Sequence, residues 1–151
     1  MVTLTLDDRL LAAYLFYGSI LMLKTWAMSF FTARHRIQNK ALPSPEDYGA
    51  KNKDRPVRLN DDVERVRRAH HNDLENIPIF MIVALLYMFS NLPVMRCLWC
   101  LRVFTAARIL HTVAYLNAFS HPRGLGFGVG ALCTAILGVS VLYSAVGAGV
   151  F

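Results

Sequence analysis

ERVRRAHHNDLENIPIFMIVALLYMF, residues 64–89, places a dense run of charge directly against an apolar run. Glu64 to Glu75 holds Arg65, Arg67, Arg68, His70, His71 and three acids, whereas Ile77 to Phe89 holds no charged side chain. The apolar run is 13 residues long. At about 1.5 Å per residue a helix of that length covers roughly 20 Å, short of a bilayer core of about 30 Å. The run therefore crosses a membrane only if the charged half belongs to the same helix. Asn60-Asp61-Asp62 supplies the cap that would start it.

The rest of the chain fits a membrane frame. Hydrophobic residues make up 55% of 151, and mean hydropathy is +0.38, high for a water-soluble domain. Of 16 Lys and Arg, ten lie between Arg34 and Arg68, and no acid follows Glu75. A basic nucleic-acid binder would set such charge on a mostly polar fold, so nucleic acid is not an expected partner. The pattern predicts an all-α integral membrane protein, a single four-helix domain over residues 1–151. Its spans fall at about 9–37, 61–89, 93–118 and 123–149, and its polar loop at about 38–60. The first span is expected to stay as an uncleaved anchor, because no small-residue cleavage site follows it. Lys24, the only charge between Leu10 and Ala33, is expected to face inward or to snorkel. The basic loop, with Pro43, Pro45 and Pro56, faces the cytosol by the positive-inside rule.

Three cysteines, Cys97, Cys100 and Cys133, sit in apolar surroundings and read as buried reduced thiols. Seven of the nine glycines fall between Gly124 and Gly149, and Gly126-x-x-x-Gly130 is a spacing that lets helices approach closely. His70 and His71 diverge by about 100° on a helix and would not chelate together, so no metal is expected.

Continued as a helix, the opening stretch puts Glu64, Arg65, Arg68, His71, Asn72 and Glu75 near one line. On the third span Arg108, His111, Thr112 and Tyr115 share a face. Glu64 and Arg68 stand at i,i+4, a stabilising spacing. Arg65, Arg68, Arg108 and Arg123 outnumber Glu64 and Glu75, and buried unpaired cations are costly. An anionic ligand supplies the missing charge. Arginine forks suit carboxylates, while Asn72 and Glu75 would accept from an ammonium or amide of the same ligand.

Glu64-Arg-Val-Arg-Arg-Ala-His-x-Asn-Asp-Leu-Glu-Asn76 resembles the signature of the membrane-associated proteins in eicosanoid and glutathione metabolism. Pro45-Glu46-Asp47, Ala107-Arg108, His111-Thr112-x-Ala114-Tyr115-Leu116 and Pro122-Arg123 agree in order and spacing, over nearly the whole chain. The resemblance implies a homotrimer of four-helix subunits with glutathione bound between neighbours near the cytosolic face. It assigns glutathione binding to Arg36, Arg67, Arg68, His70, His71, Asn72, Glu75, His111, Tyr115 and Arg123, and the polar face of the third span adds Arg108. Arg123 would hold the thiolate and Tyr115 donate to the sulfur. Asp47 and Phe127 would be accessory. Glutathione, as substrate or cofactor, is the one small molecule implied, with no metal.

The implied activity is a glutathione S-transferase acting on hydrophobic electrophiles and lipid hydroperoxides taken from the bilayer. The alternatives are a glutathione-dependent prostaglandin E synthase, an endoperoxide isomerase, and a non-catalytic lipid-binding scaffold. The implied location is the endoplasmic reticulum membrane, with the outer mitochondrial membrane also open. Two departures stand out. Gly124 takes the place of a serine that follows the arginine in the isomerases, and Pro78 comes one residue earlier than the proline of relatives. That proline should clash with the Leu74 carbonyl and kink the helix beyond Glu75.

Overall fold

The computed structural model describes residues 6–49 and 60–147. The basic run Lys51–Arg58 and the last residues of the expected fourth span lie outside them. Four long helices carry the chain, α1 (Asp8–Gln38), α2 (Asp61–Met88), α3 (Val94–Leu116) and α4 (Ser120–Gly147). A short 3-10 turn, Pro45–Tyr48, follows α1. The helices alternate in direction. α2 and α3 form the centre; α1 packs on both, α4 packs on both, and α1 and α4 do not pack on each other among the described residues.

Local chemistry sets the helix ends. Asp7 caps α1 through the Leu10 N–H at 2.9 Å. Asn60 caps α2 by accepting from Asp62 and Val63, as the sequence predicted. α1 and α3 close in the same way. Lys40 N–H donates to Ile37 O and Ala41 N–H to Arg36 O; Ala118 N–H donates to Tyr115 O and Phe119 N–H to Ala114 O. Each is a Schellman motif, which places the residue after the cap in left-handed backbone. Lys40 and Ala118 accordingly have φ of 51° and 60°.

α2 is one helix through the boundary between charge and grease, unbroken at Pro78. Its buried face reads Val63, Val66, Ala69, Asp73, Ile77, Phe80, Ala84, Tyr87, a spacing of three and four residues that makes one stripe. Phe80 stacks on Phe104 of α3 with ring centroids 3.6 Å apart. At the far end the Tyr87 hydroxyl donates to Pro93 O across the α2–α3 turn. The glycine spacing on α4 performs as expected. A Cβ at Gly126 would stand 2.8 Å from the Ala107 carbonyl oxygen, and one at Gly130 3.5 Å from the Phe104 ring. Among the described residues α1, α3 and α4 are each long and apolar enough to cross a membrane. Their outer faces expose Phe16, Leu23, Trp26 and Phe30 on α1 and Leu132, Val139 and Leu142 on α4, the surface a bilayer would cover. The three cysteines are buried and reduced.

Candidate functional site

The charged half of α2 separates into two faces with different fates. On the outer face Arg67, Arg68, His71, Asn72 and Glu75, joined by Tyr115 of α3, line a cleft of about 310 Å³. At 100° per residue these five α2 positions spread over about 140° of the helix. Arg67 is paired with Glu64, Nη2 to Oε2 2.8 Å, in place of the Glu64–Arg68 pair that spacing suggested. Arg68 has no ion-pair partner among the described residues. His71 Nδ1 lies 3.2 Å from Glu75 Oε1. Arg65, expected on this face, does not line the cleft; its Nε is buried without a hydrogen-bond partner among the described residues.

Beside the cleft, in contact with Tyr115, stand Arg123 of α4 and His111 of α3, neither of which lines it. The Arg123 guanidinium sits 4.7 Å from the centre of the Tyr115 ring. The tight α3–α4 turn explains the contact. α4 begins at Ser120, so Arg123 stands in its first turn, directly over the last turn of α3. The His111 ring meets Tyr115 edge-on at 5.5 Å and is buried, and its Nδ1 has no hydrogen-bond partner among the described residues. Phe127 is exposed one turn further along α4, and Asp47 is exposed in the 3-10 turn. Neither lines the cleft, nor do His70 and Arg36, which are half-buried on α2 and near the end of α1.

The opposite face of α2 holds what the sequence reading missed. Asp73 is wholly buried and binds three helices together. Its Oδ1 accepts from Arg108 Nε at 3.2 Å and Nη2 at 2.6 Å, and its Oδ2 from Lys24 Nζ and, at 3.4 Å, from the Thr112 hydroxyl. Arg108 is only 1% exposed. The expectation that Arg108 lacks an internal counter-charge is therefore overturned, because Asp73 was left out of that balance. Arg108 still reaches the site, since its Nη2 donates to Asn72 Oδ1 at 2.7 Å. That bond bears on the role expected of Asn72. Its side-chain oxygen already accepts from Arg108, and the NH₂ group is the donor left for a ligand. Lys24 faces inward, as one of its two sequence readings had it.

A second cavity, about 470 Å³, continues along α2 on the membrane side. Asn76, Ile79 and Val83 line it together with Ala131, Thr134 and Leu142 of α4. Asn76 belongs to both levels, donating from Nδ2 to the Asn72 carbonyl at 2.8 Å. The molecule thus presents a cation-rich cleft beside an apolar groove, between helices suited to a bilayer.

The model of the MAPEG family matches residues 14–143. The chain belongs to that family. It is 42% identical to microsomal glutathione S-transferase 1 of Mus musculus over 144 residues, 92% of this chain and 93% of the relative. It is 40% identical to the Homo sapiens protein of the same name over 151 residues, covering 95% and 97% of the two chains. Homo sapiens prostaglandin E synthase is 31% identical over 145 residues, 95% of each. Membership confirms the resemblance carried by Glu64–Asn76, and this MAPEG chain is an all-α integral membrane protein with α2 and α3 at its centre.

Proposed function

We propose that this MAPEG protein is a membrane glutathione S-transferase. The observation that carries the reading is the cleft itself. Arg67, Arg68 and the Asn72 amide face it, with Arg123 at its Tyr115 edge. Glutathione brings two carboxylates, an ammonium and two peptide groups. The arginines and the Asn72 NH₂ meet its carboxylates and carbonyls, and Glu75 meets its ammonium. Its sulfur lies toward Tyr115 and Arg123. A free thiol titrates near 8.5, and an adjacent guanidinium favours the thiolate. The Tyr115 hydroxyl donates to that sulfur.

The thiolate attacks a carbon of an apolar electrophile held in the α2–α4 groove. A thioether forms and the leaving group departs with the displaced electron pair. With a lipid hydroperoxide the thiolate takes the distal oxygen, the O–O bond breaks, and the alkoxide leaves as an alcohol after protonation. A second glutathione then converts the sulfenic product to a disulfide and water. The site faces outward from the subunit, so we assign its completion to a neighbour in a homotrimer. We place the trimer in the endoplasmic reticulum membrane with the cleft toward the cytosol.

Thiolate absorbance on adding glutathione to detergent-purified protein tests the reading, followed by assay with a chlorinated nitroaromatic and a lipid hydroperoxide. A thiolate signal with turnover of either substrate is expected. A signal without turnover, but with isomerisation of a lipid endoperoxide, would favour the synthase reading, against which Gly124 stands. Neither signal nor any turnover would leave the scaffold.

A further inference from the structure

Asp73 lies almost diametrically opposite the cleft, yet it governs a group that lines it. Arg108 Nη2 is shared between Asp73 Oδ1 at 2.6 Å and Asn72 Oδ1 at 2.7 Å. A guanidinium only donates, so the Asn72 atom it touches must be the oxygen. The Arg108 side chain is itself fixed, being buried and held by Asp73 through both Nε and Nη2. Asp73 is fixed in turn by Lys24 of α1 and Thr112 of α3.

We propose that Asp73 is a positioning residue for the cleft: through Arg108 it ties the Asn72 oxygen inward and leaves the Asn72 NH₂ as a fixed donor to an acceptor oxygen of the bound anion. The proposal rests on the glutathione reading of the cleft and adds to it the sense of one hydrogen bond and the residue that sets it. The cluster also contributes a field. Lys24 and Arg108 meet one carboxylate, so one positive charge is left uncompensated behind Asn72, which favours an anion in front of it.

The decisive variant is Asn72→Asp. A carboxylate at position 72 keeps an acceptor for Arg108, so the buried cluster is undisturbed, but it turns an acceptor with negative charge toward the ligand. Glutathione affinity, read by thiolate absorbance or calorimetry, should fall at least about tenfold with the thermal midpoint unchanged or raised. Repeating the titration with glutathione amidated at its glycine carboxyl separates two sources of the acceptor. A smaller loss there than with glutathione points to that carboxylate, and an equal loss points to a carbonyl or the other carboxyl. Affinity within about threefold of wild type would overturn the proposal.

Asp73→Asn supplies a second reading. The KM for glutathione should rise about tenfold or more while kcat at saturating glutathione and the KM of the apolar substrate hold within about threefold. A purely structural clasp would instead lower the active fraction, and with it kcat, at constant KM, and that result would also overturn the proposal. If this variant does not fold, Asn72→Asp decides alone. Absence of glutathione binding by the wild-type protein would sink the functional reading. The relay is then judged on a structure of Asp73→Asn, where an Asn72 oxygen still held on Arg108 overturns it and a released one upholds it.

Discussion

Two arginines that look alike in the sequence differ in what surrounds them. Arg108 is sealed between Asp73 and Asn72, whereas Arg68 lines the cleft with no ion partner among the described residues. Charge-assisted hydrogen bonds contribute about 1.5–3 kcal/mol. Arg68→Ala is therefore expected to weaken glutathione binding roughly ten- to hundredfold, measurable by titration, with little change in thermal midpoint. Arg123→Ala removes the guanidinium at the Tyr115 edge. The thiolate absorbance should vanish and turnover fall by about 10²–10³, with Arg123→Lys recovering part of both. Unaltered activity in Arg123→Ala would refute the assignment. Most cleft residues were legible from spacing and resemblance, because a helix face is a local property. Asp73 was not, since it sits inside a charge run and reads as one more member of it. A signal was present all the same. Asp73 falls in register with Ala69, Ile77 and Phe80, the buried stripe, and Lys24 is the only charge between Leu10 and Ala33. A carboxylate on a buried stripe calls for a cation from a neighbouring helix.

At the scale of elements, the helices were predictable because their length is set by the bilayer and their ends by capping chemistry. The 13-residue apolar run forced α2 to include the charged half, and the structure agrees. The closures of α1 and α3 were less legible, since neither has the glycine that usually marks a Schellman motif. Left-handed backbone costs a non-glycine residue about 1–2 kcal/mol. Part of that gain is offset by the greater chain entropy of glycine. Ala118→Gly should stabilise the protein by about 0.5–1 kcal/mol net, seen as a higher midpoint in detergent. Gly126→Val should act the other way. The atom facing it is a backbone oxygen of α3, which cannot swing aside, so overpacking of about 1–3 kcal/mol is expected. A midpoint equal to wild type would mean that α3 and α4 separate easily.

At the scale of the whole molecule, α2 carries a cluster of charge on its outer face, Arg67, Arg68, His71 and Glu75. Below the cleft that same side exposes Ile79, Ile82 and Leu86, so the outward surface is polar above and apolar beneath. In a lone subunit any of that polar part lying at bilayer depth would meet lipid, which is costly. Cross-linking in mild detergent is expected to stop at three copies, and glutathione binding should be lost in step when harsher detergent disperses them. Binding that survives in a monomer would show the cleft to be complete within one chain. The homotrimer was expected from the family resemblance and not from the residues themselves, because a face that awaits another copy carries the same letters as one that faces water.

The clasp of Lys24, Asp73 and Arg108 also bears on how the chain enters its membrane. Each of these charges is expensive in hydrocarbon alone, about 2.5–3.5 kcal/mol at mid-bilayer on an insertion scale. The helices emerge in the order α1, α2, α3. Insertion of α1 alone is expected to be less complete than insertion of α1 together with α2, which brings Asp73 to neutralise Lys24. α3 follows and docks its arginine onto a carboxylate already in place. Biosynthesis of this protein is thus expected to be a relay of hand-overs, with Asp73 as the contact on which the earlier Lys24 and the later Arg108 both depend.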